Sequence, residues 1–326
     1  MTRKMVWIIL AAAMAFPMAA TAQRQSAFTS FDVPGAASTT PWGINDDGAV
    51  VGMYADSSGR THGFLLQGGT FTTIDYPGAL MTGPAGINNH GDIVGAHIDA
   101  MGLPGMGLRG FLLKQGTFTD VNYPGHLNTM PMRINDNGQI VGCYHDTDFG
   151  PSMHGMMFSN GTFSALSTPA SMNMGLLPGG GVTVGQYGAT GGPTRGFVAS
   201  ADTLALFDFP FSISTNALDI NPSGEVVGVY TDAAKKTHGF LLRLGDAIDT
   251  FGVNPKIGMT GPFNFATIDF PGATSTDAYG INSRGDVVGD YVDSAGKTHG
   301  YLLSRARRPG GAAYQETPGS AGKELP

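Results

Sequence analysis

Residues 43–78 read GINDDGAVVGMYADSSGRTHGFLLQGGTFTTIDYPG. The stretch holds two turn signals, Asn-x-x-Gly at 45–48 and Pro-Gly at 77–78. Asn followed three residues later by Gly is typical of a type I turn leading into a hairpin, and Pro-Gly is typical of a type II turn. The apolar pair Val50-Val51 indicates a strand buried on both faces. The stretch therefore predicts a small antiparallel sheet that is covered on both sides.

The same pattern recurs along the chain at a period of roughly 45 residues, which is the signature of a repeat architecture. Further copies begin at Ile87, Ile134, Ile220 and Ile281. The fourth copy keeps Val-Gly-Gln-Tyr at 184–187, but a glycine run at 179–181 replaces its Ile-Asn turn. The units lie near 42–79, 85–125, 133–170, 174–210, 218–271 and 280–303, the last combined with 28–35.

Six such units predict an all-β fold, a β-propeller of six four-stranded blades. Residues 28–35 match the last strand of a unit that has no earlier part, and the final copy stops near residue 303 without that strand. We therefore expect the N-terminal strand, 28–33, to pair with the last C-terminal strand, 300–303, and to close the ring. Residues 28–304 would then form a single domain.

The N-terminal end of the chain suggests export. Residues 1–22 resemble a signal peptide, with Arg3 and Lys4 before an apolar stretch and small residues up to Ala22. This predicts a secreted, extracellular or periplasmic protein. No later run approaches the ~20 apolar residues of a membrane helix, so no membrane span is expected. The tail, 305–326, is rich in Gly, Ala, Pro and Ser and is predicted to be disordered.

Charge and cysteine content restrict the partners. The net charge of −7 argues against a nucleic-acid partner, which would require clustered Lys and Arg. The one cysteine, Cys143, lies in an apolar strand, so it is expected to be a core residue without a disulfide. We expect no cofactor and a monomer.

The combined motifs resemble the HAF-repeat family of extracellular bacterial proteins, which takes its name from a His-Ala-Phe type of step. That step is found here as His-Gly-Phe at 62–64 and 238–240 and as His-Gly-Tyr at 299–301. Arg109 and Arg195 depart from the pattern by replacing the repeat histidine. The resemblance covers nearly the whole mature chain. It implies secretion and a propeller-like fold, and it implies no established activity.

The recurring polar residues have a structural interpretation. Equivalent histidines of a ring lie far apart, so outside a narrow channel they cannot share a metal ion at about 2.1 Å. A hydrogen-bonding role is predicted for them, and a turn role for the aspartates that end each second strand. The histidines are His62, His154, His238 and His299, and the aspartates are Asp56, Asp99, Asp146, Asp232 and Asp293.

Residues that break the repeat are better candidates for a binding site. His97 takes the place of a repeat tyrosine, either as a packing residue or as one ligand of a metal site between blades. His90, His145 and Asp146 are further candidates, although His90 and His145 fall at opposite ends of a strand. The long insertion between 244 and 263 adds Phe251 and Phe263 as aromatic candidates. No metal site and no catalytic residue is assigned.

The function hypothesis is a secreted, noncatalytic binding or scaffold module for an extracellular ligand, a glycan or a surface protein. The absence of a catalytic motif and the regular repeat support it. One alternative is a polysaccharide hydrolase or lyase, for which the recurring carboxylates are candidates: Asp75, Asp120, Asp208 and Asp269. Two carboxylates outside the repeat pattern that meet in one pocket would favour the enzyme. The other alternative is an architectural matrix protein.

Overall fold

The computed structural model describes residues 27–99, 107–126, 128–146, 153–169, 171–177, 179–188, 192–200, 203–244 and 264–305. These residues form 24 β-strands in six four-stranded antiparallel sheets. The predicted signal peptide, the tail beyond residue 305, and Phe251 and Phe263 lie outside the described residues.

The sheets follow one another along the chain as blades, apart from the first strand, β1 (Ala27–Phe31), which belongs to blade 6. Blade 1 contains β2 (Ser38–Ile44), β3 (Val50–Ala55), β4 (Thr61–Gln67) and β5 (Thr70–Ile74). Blade 2 contains β6 (Ala79–Ile87), β7 (Ile93–Asp99), β8 (Leu108–Lys114) and β9 (Thr117–Asp120). Blade 3 contains β10 (Asn128–Ile134), β11 (Ile140–His145), β12 (Met153–Ser159) and β13 (Thr162–Pro169).

The second half of the wheel repeats this order. Blade 4 contains β14 (Ser171–Leu176), β15 (Thr183–Tyr187), β16 (Arg195–Ser200) and β17 (Thr203–Phe207). Blade 5 contains β18 (Ser214–Ile220), β19 (Glu225–Thr231), β20 (Thr237–Arg243) and β21 (Asn264–Ile268). Blade 6 contains β22 (Ser275–Ile281), β23 (Val287–Val292) and β24 (Thr298–Ser304), followed by β1. Each blade begins three to six residues before its predicted unit, because the first strand precedes the Ile-Asn step.

The ring closes as predicted. Strand β1 pairs antiparallel with β24, with Phe28 opposite Leu303 and Phe31 opposite Gly300. The first strands of successive blades contact one another around the ring, including β2 with β22, so they surround a central axis. The six-bladed propeller that the sequence predicts is therefore confirmed.

Adjacent blades pack face to face through their paired apolar residues. Val50 and Phe64 of blade 1 form one buried cluster with Val288 of blade 6, and Val51 packs with Ile87 and Phe111 of blade 2. Val50 and Val51 are both almost fully buried, so the apolar pair does cover both faces of its sheet.

The predicted turns define the two faces of the wheel. On the turn face, which carries the Asn-x-x-Gly turns, Asn45 O accepts the amide of Gly48 at 3.1 Å, and Gly48 has φ +80°. In blade 4 the glycine run makes the equivalent turn, with Gly180 N donating to Leu177 O. On the corner face, which carries the Pro-Gly corners, Gly78 has the positive φ that a type II turn requires.

Candidate functional site

Each innermost strand carries a β-bulge next to the axis. In β2 the pairing register shifts between Pro41 and Gly43, so Trp42 is left unpaired, and the other five first strands shift at the same place. A bulge frees a backbone group from the ladder and re-aims it. The bulges therefore leave carbonyl oxygens available around the axis.

Four blades have glycine directly after the bulge because the inner strands approach closely. A Cβ atom on Gly43 would lie 2.9 Å from Ala85 O, and one on Gly280 would lie 2.8 Å from Trp42 O. Blades 3 and 5 have no glycine here and carry Arg133 and Asp219 instead. These two side chains are the unrepeated residues at the axis.

The guanidinium of Arg133 satisfies the bulge carbonyls of four blades. Nη1 donates to Ala85 O at 2.8 Å and to Met132 O at 2.9 Å. Nη2 donates to Trp42 O at 3.0 Å and to Tyr279 O at 2.5 Å. One buried side chain thus joins blades 1, 2, 3 and 6.

Asp219 supplies the opposite charge and connects blade 5 to Arg133. Its Oδ2 lies 3.2 Å from Nε of Arg133 and accepts the amide of Ile281 at 3.0 Å, while Oδ1 accepts the amide of Ile220 at 2.9 Å. Burial raises the pKa of this carboxyl, and Arg133 together with the two amides opposes that shift. The ion pair, here called the axial plug, closes the centre of the wheel.

A depression open to solvent lies over the axial plug on the turn face and is lined by both polar and apolar residues. Asparagine side chains connect the turns around it: Asn45 Nδ2 donates to Asn88 O, Asn88 Nδ2 to Asn135 O, and Asn282 Nδ2 to Asn45 O, at 3.1 to 3.2 Å. The wall therefore combines fixed backbone and amide groups with apolar residues such as Ile44, Ile87 and Leu176.

The next residue of each turn forms the rim. Asn89 Nδ2 donates to Asp46 Oδ2 at 3.1 Å and to Asp136 Oδ2 at 2.9 Å, and Asp46 Oδ1 accepts the amide of Ser283 at 2.8 Å. Pro222 interrupts this arc in blade 5. The rim thus presents an arc of carboxylate and amide groups that faces solvent and spans blades 6, 1, 2 and 3.

Two carboxylates outside the repeat pattern meet between blades 6 and 1, on the corner-face side of the axial plug. Asp277 and Asp290 are register partners in β22 and β23. Tyr279 Oη donates to Asp277 Oδ2 at 2.9 Å, and Trp42 stacks on the Tyr279 ring. Burial, reinforced by the charge of Asp277, raises the pKa of Asp290 to about 7, and burial also raises that of Asp277.

The repeated histidines hold carboxylates within their own blades at the corner face. His62 Nδ1 lies 2.9 Å from Asp75 and its Nε2 lies 3.4 Å from Asp56, and His238 bridges Asp269 and Asp232 in the same way. In blade 6, where β1 supplies the last strand, His299 bridges Asp32 and Asp293.

Arginine performs the same task where it replaces histidine. Arg195 pairs with Asp208 at 2.8 Å, and Arg109 pairs with Asp99. The donor role predicted for this position is therefore confirmed.

The recurring aspartates that are candidates under the hydrolase alternative stay apart. Asp75, Asp208 and Asp269 each pair within one blade, and Asp120 accepts from Tyr76 Oη at 2.8 Å. The turn role predicted for the second-strand aspartates holds at Asp56, whose Oδ1 accepts the amides of Ser58 and Arg60.

The candidates from blades 2 and 3 do not form one site. His97 is buried and its ring stacks on Tyr76 with 3.6 Å between centroids, so it packs where other blades have tyrosine. Burial lowers the pKa of His97. His90 is exposed on the turn face, where its amide donates to Asn88 Oδ1.

The remaining candidates, His145 and Asp146, lie in blade 3 at the corner face, opposite the face that carries His90. His145 is buried at the end of β11, with its Nε2 3.9 Å from Cys143 Sγ. Asp146 contacts His154 at 2.7 Å and His126 at 3.4 Å. Cys143 is a core residue as predicted, and burial raises the pKa of its thiol to about 12.

Among the described residues, no group of three or more His, Cys, Asp or Glu side chains is placed to hold a metal ion. The same part of the chain forms no helix with the length and apolar character of a membrane span. The axial residues Arg133 and Asp219 were missed at the sequence level. Comparing the residue before each Ile-Asn step, which is glycine in most units, would have revealed them.

Comparisons with known proteins bear on the fold. No protein-family model matches the sequence, and no curated protein matches it. The structure is similar to a crystal structure of a protein of unknown function from Dyadobacter fermentans, at 14% identity and a TM-score of 0.54, covering 87% of this chain and 99% of that one.

A weaker likeness is to the Aleuria aurantia lectin, described as a six-bladed β-propeller that recognises fucose. The identity is 12% and the TM-score 0.46, and the match covers 88% of this chain and 97% of the lectin. At such identities the shared property is the fold alone. The likeness to the Dyadobacter fermentans structure extends over most of both chains.

Proposed function

We propose that the protein is a secreted, noncatalytic binding module that holds a small, uncharged polar ligand, a sugar unit of an extracellular glycan, in the axial depression. The observation that carries the proposal is the axial plug. Arg133 and Asp219 replace glycines that the other blades require, and together they give the depression a closed, polar floor. On a repeat scaffold, a specific site is built from residues that are not repeated.

The chemistry of the depression favours a neutral, hydroxyl-rich ligand. The rim offers carboxylate and amide oxygens from Asp46, Asn89 and Asp136, which accept hydrogen bonds from hydroxyl groups. The carboxylates of the rim disfavour an anionic ligand, because like charges repel. The floor adds no net charge, since the charges of Arg133 and Asp219 balance. Noncatalytic binding is supported because the floor carboxylate is held by fixed donors.

A glycan array tests this proposal with the secreted protein and three variants. We expect the wild type to bind neutral glycans, and Asn89→Ala and Asp46→Ala to bind them at least about tenfold more weakly, the effect of one or two lost hydrogen bonds. Thr70→Ala is the control, because Thr70 is exposed on the turn face but does not line the depression. Equal binding by the rim variants, or no glycan binding at all, would contradict the proposal.

The second candidate function is polysaccharide hydrolysis, and the pair Asp277 and Asp290 favours it. Two neighbouring carboxylates are the usual components of acid–base catalysis in glycoside hydrolysis. An assay of reducing ends released from polysaccharides distinguishes the candidates. Turnover that Asp290→Asn abolishes would support the hydrolase, and binding without turnover would support the binding module.

Membership of the HAF-repeat family and export from the cell remain proposals that rest on the motifs and on residues 1–22. Detection of the mature protein outside the cytoplasm, with its N-terminus near residue 23, would support export. Retention of the full-length chain in the cytoplasm would contradict it.

A further inference from the structure

A second unrepeated feature lies on the corner face, between blades 4 and 5. Four of the five other corners have the sequence Pro-Gly, and their glycines Gly35, Gly78, Gly125 and Gly272 have φ between +78° and +81°. Here the sequence is Pro210-Phe211, and Phe211 takes φ +62° with 97% of its surface exposed. A bulky residue with positive φ costs stability, and an exposed ring contributes nothing to the core. Folding therefore does not explain Phe211.

The adjacent hairpin of blade 5 shows the same kind of replacement. Blades 1 and 6 have Gly59 and Gly296 at the positive-φ position of this turn, with φ +85° and +84°. Blade 5 has Lys235 there, at φ +67° and exposed. Within the described part of the chain, Lys235 takes part in no ion pair. A lysine is thus held at positive φ although no ion pair of its side chain among the described residues accounts for it.

The two replacements lie next to each other. The amide of Ile213 in the corner donates to Thr231 O, at the start of the hairpin, at 2.9 Å. Ile213 is itself half-exposed, and Lys236 follows Lys235. Non-glycine residues held at positive φ are concentrated at functional sites in proteins. Phe211, Ile213, Lys235 and Lys236 are called the blade 5 patch below.

We propose that the blade 5 patch binds an acidic polysaccharide chain, with the Phe211 ring packed on the face of a sugar and Lys235 and Lys236 facing its carboxylates. The patch places a flat apolar ring beside two lysine cations. Although the net charge of the whole chain is −7, the patch itself is positively charged and so complements an anionic polymer. This site goes beyond the axial depression and lies on the opposite face, because β18 begins at the corner and ends at the turn face.

A polymer fits this surface better than a membrane does. A bilayer is a plane that would meet the whole corner face, including the exposed carboxylates of Asp208 and Asp269, which repel anionic headgroups. Stable membrane attachment also needs more than one anchoring signal, and the patch offers one short apolar tip. A polysaccharide is a thin strand that can touch the two turns alone.

Affinity electrophoresis of the full chain in gels containing polygalacturonate tests the proposal, with neutral dextran gels as the control. We expect polygalacturonate to retard the wild type, and Phe211→Gly and Lys235→Gly to need at least about tenfold more polymer for the same retardation. Both variants restore the glycine of other blades, so their unfolding temperatures should not fall. Loss of binding without loss of stability would show that Phe211 and Lys235 serve binding and not folding.

The matched control is Gly272→Phe, which places a phenylalanine at the equivalent corner before blade 6, where Lys297 is paired with Asp32. We expect this variant to gain no retardation. Unchanged retardation of Phe211→Gly, a gain by Gly272→Phe, or sedimentation with phosphatidylglycerol vesicles in place of polymer binding would each overturn the proposal. Asn89→Ala should still bind polygalacturonate. Failure of the axial proposal can therefore be distinguished from failure of the proposal for the blade 5 patch.

Discussion

Two arginine–aspartate pairs in this protein have the same chemistry and opposite surroundings. Arg195 and Asp208 lie 2.8 Å apart at the edge of blade 4, with 47% and 46% of their side chains exposed. Arg133 and Asp219 lie 3.2 Å apart at the axis, with 7% and 10% exposed. The outer pair stands in for a repeat histidine and its aspartate within one blade, whereas the axial pair replaces two glycines and joins five blades.

The difference shows that the edge of this fold tolerates exchange of one ion pair for another, whereas the axis requires particular residues. At the edge, His-Asp and Arg-Asp pairs are interchangeable because each satisfies the same exposed carboxylate. At the axis, the bulge carbonyls and the charge of Arg133 are buried, so each group depends on one particular partner. We therefore expect mutations at the axis to lower the free energy of unfolding more than mutations at the edge.

The largest effect is expected when the axial charge pair is broken. Asp219→Ala leaves the buried Arg133 without its countercharge, so the free energy of unfolding should fall by about 3–5 kcal/mol. Chemical denaturation measures this loss. The matched control is Asp208→Ala at the outer pair, which should lose less than about 1 kcal/mol because that pair is exposed to solvent. Equal losses in the two variants would contradict the division.

The second prediction concerns the carboxylates Asp277 and Asp290. Because the pKa of Asp290 is raised to about 7 in the folded protein, the folded state binds more protons than the unfolded state between about pH 4 and pH 7. Stability should therefore decrease as the pH rises through that window. Asp290→Asn removes the titration, so it should stabilise the protein at pH 8 by up to about 4 kcal/mol.

Denaturation curves from pH 4 to pH 8 would measure this effect. The gain of Asp290→Asn should shrink towards pH 4, because the carboxyl is neutral in the folded wild type and begins to bind the same proton in the unfolded state. Asp269→Asn, at the exposed edge, is the control and should show no such gain. A wild-type stability that rises between pH 4 and pH 7 would contradict the assignment.

A smaller effect is expected at the repeated histidines. His238→Ala loses the contacts with Asp269 and Asp232 and the stacking on Tyr230, so we expect a loss of about 1 kcal/mol in the free energy of unfolding. Arg195→His converts blade 4 to the repeat pattern and should change stability by less than about 0.5 kcal/mol. A loss above 3 kcal/mol for Arg195→His would show that the edge pairs are not interchangeable.

The smallest effect on stability is expected at the rim of the depression. Asn89 is exposed, and its replacement by alanine should cost less than about 1 kcal/mol while it removes a hydrogen-bonding group from the rim. Thermal unfolding of Asn89→Ala, measured beside the glycan array, keeps stability and binding apart. A large drop in the unfolding temperature of Asn89→Ala would mean that this variant loses glycan binding because it unfolds.

The architecture could be predicted from the sequence because the turn residues repeat at fixed offsets. Asn45 and Gly48 specify one turn, Pro77 and Gly78 another, and the unmatched strand at the N-terminus indicates closure. One repeated feature is not evident from the sequence alone. Buried threonines near the start of five first strands accept a corner amide, as Thr39 Oγ1 accepts from Val33 N at 3.1 Å. A threonine in a strand has many ordinary explanations, so its role becomes visible only with the corner beside it.

The site could not be predicted in the same way. The sequence marks His90, His97, His145 and Asp146 as unusual residue types within the repeat, and the fold distributes them over both faces. Arg133 and Asp219 are 86 positions apart in sequence and meet only because the ring brings blades 3 and 5 to the axis. The bulge carbonyls that bind Arg133 carry no side-chain signal. Ring closure and bulge geometry together create this site.

The most direct test of the account is NMR of the protein with ¹⁵N-labelled asparagine, titrated with a neutral glycan selected on the array. The account predicts that the side-chain amide signals of Asn89, Asn45 and Asn88 shift on binding, while the signal of Asn264, exposed on the outer strand of blade 5, stays in place. A bound glycan that shifts Asn264 and leaves the asparagines of the depression unchanged would contradict it.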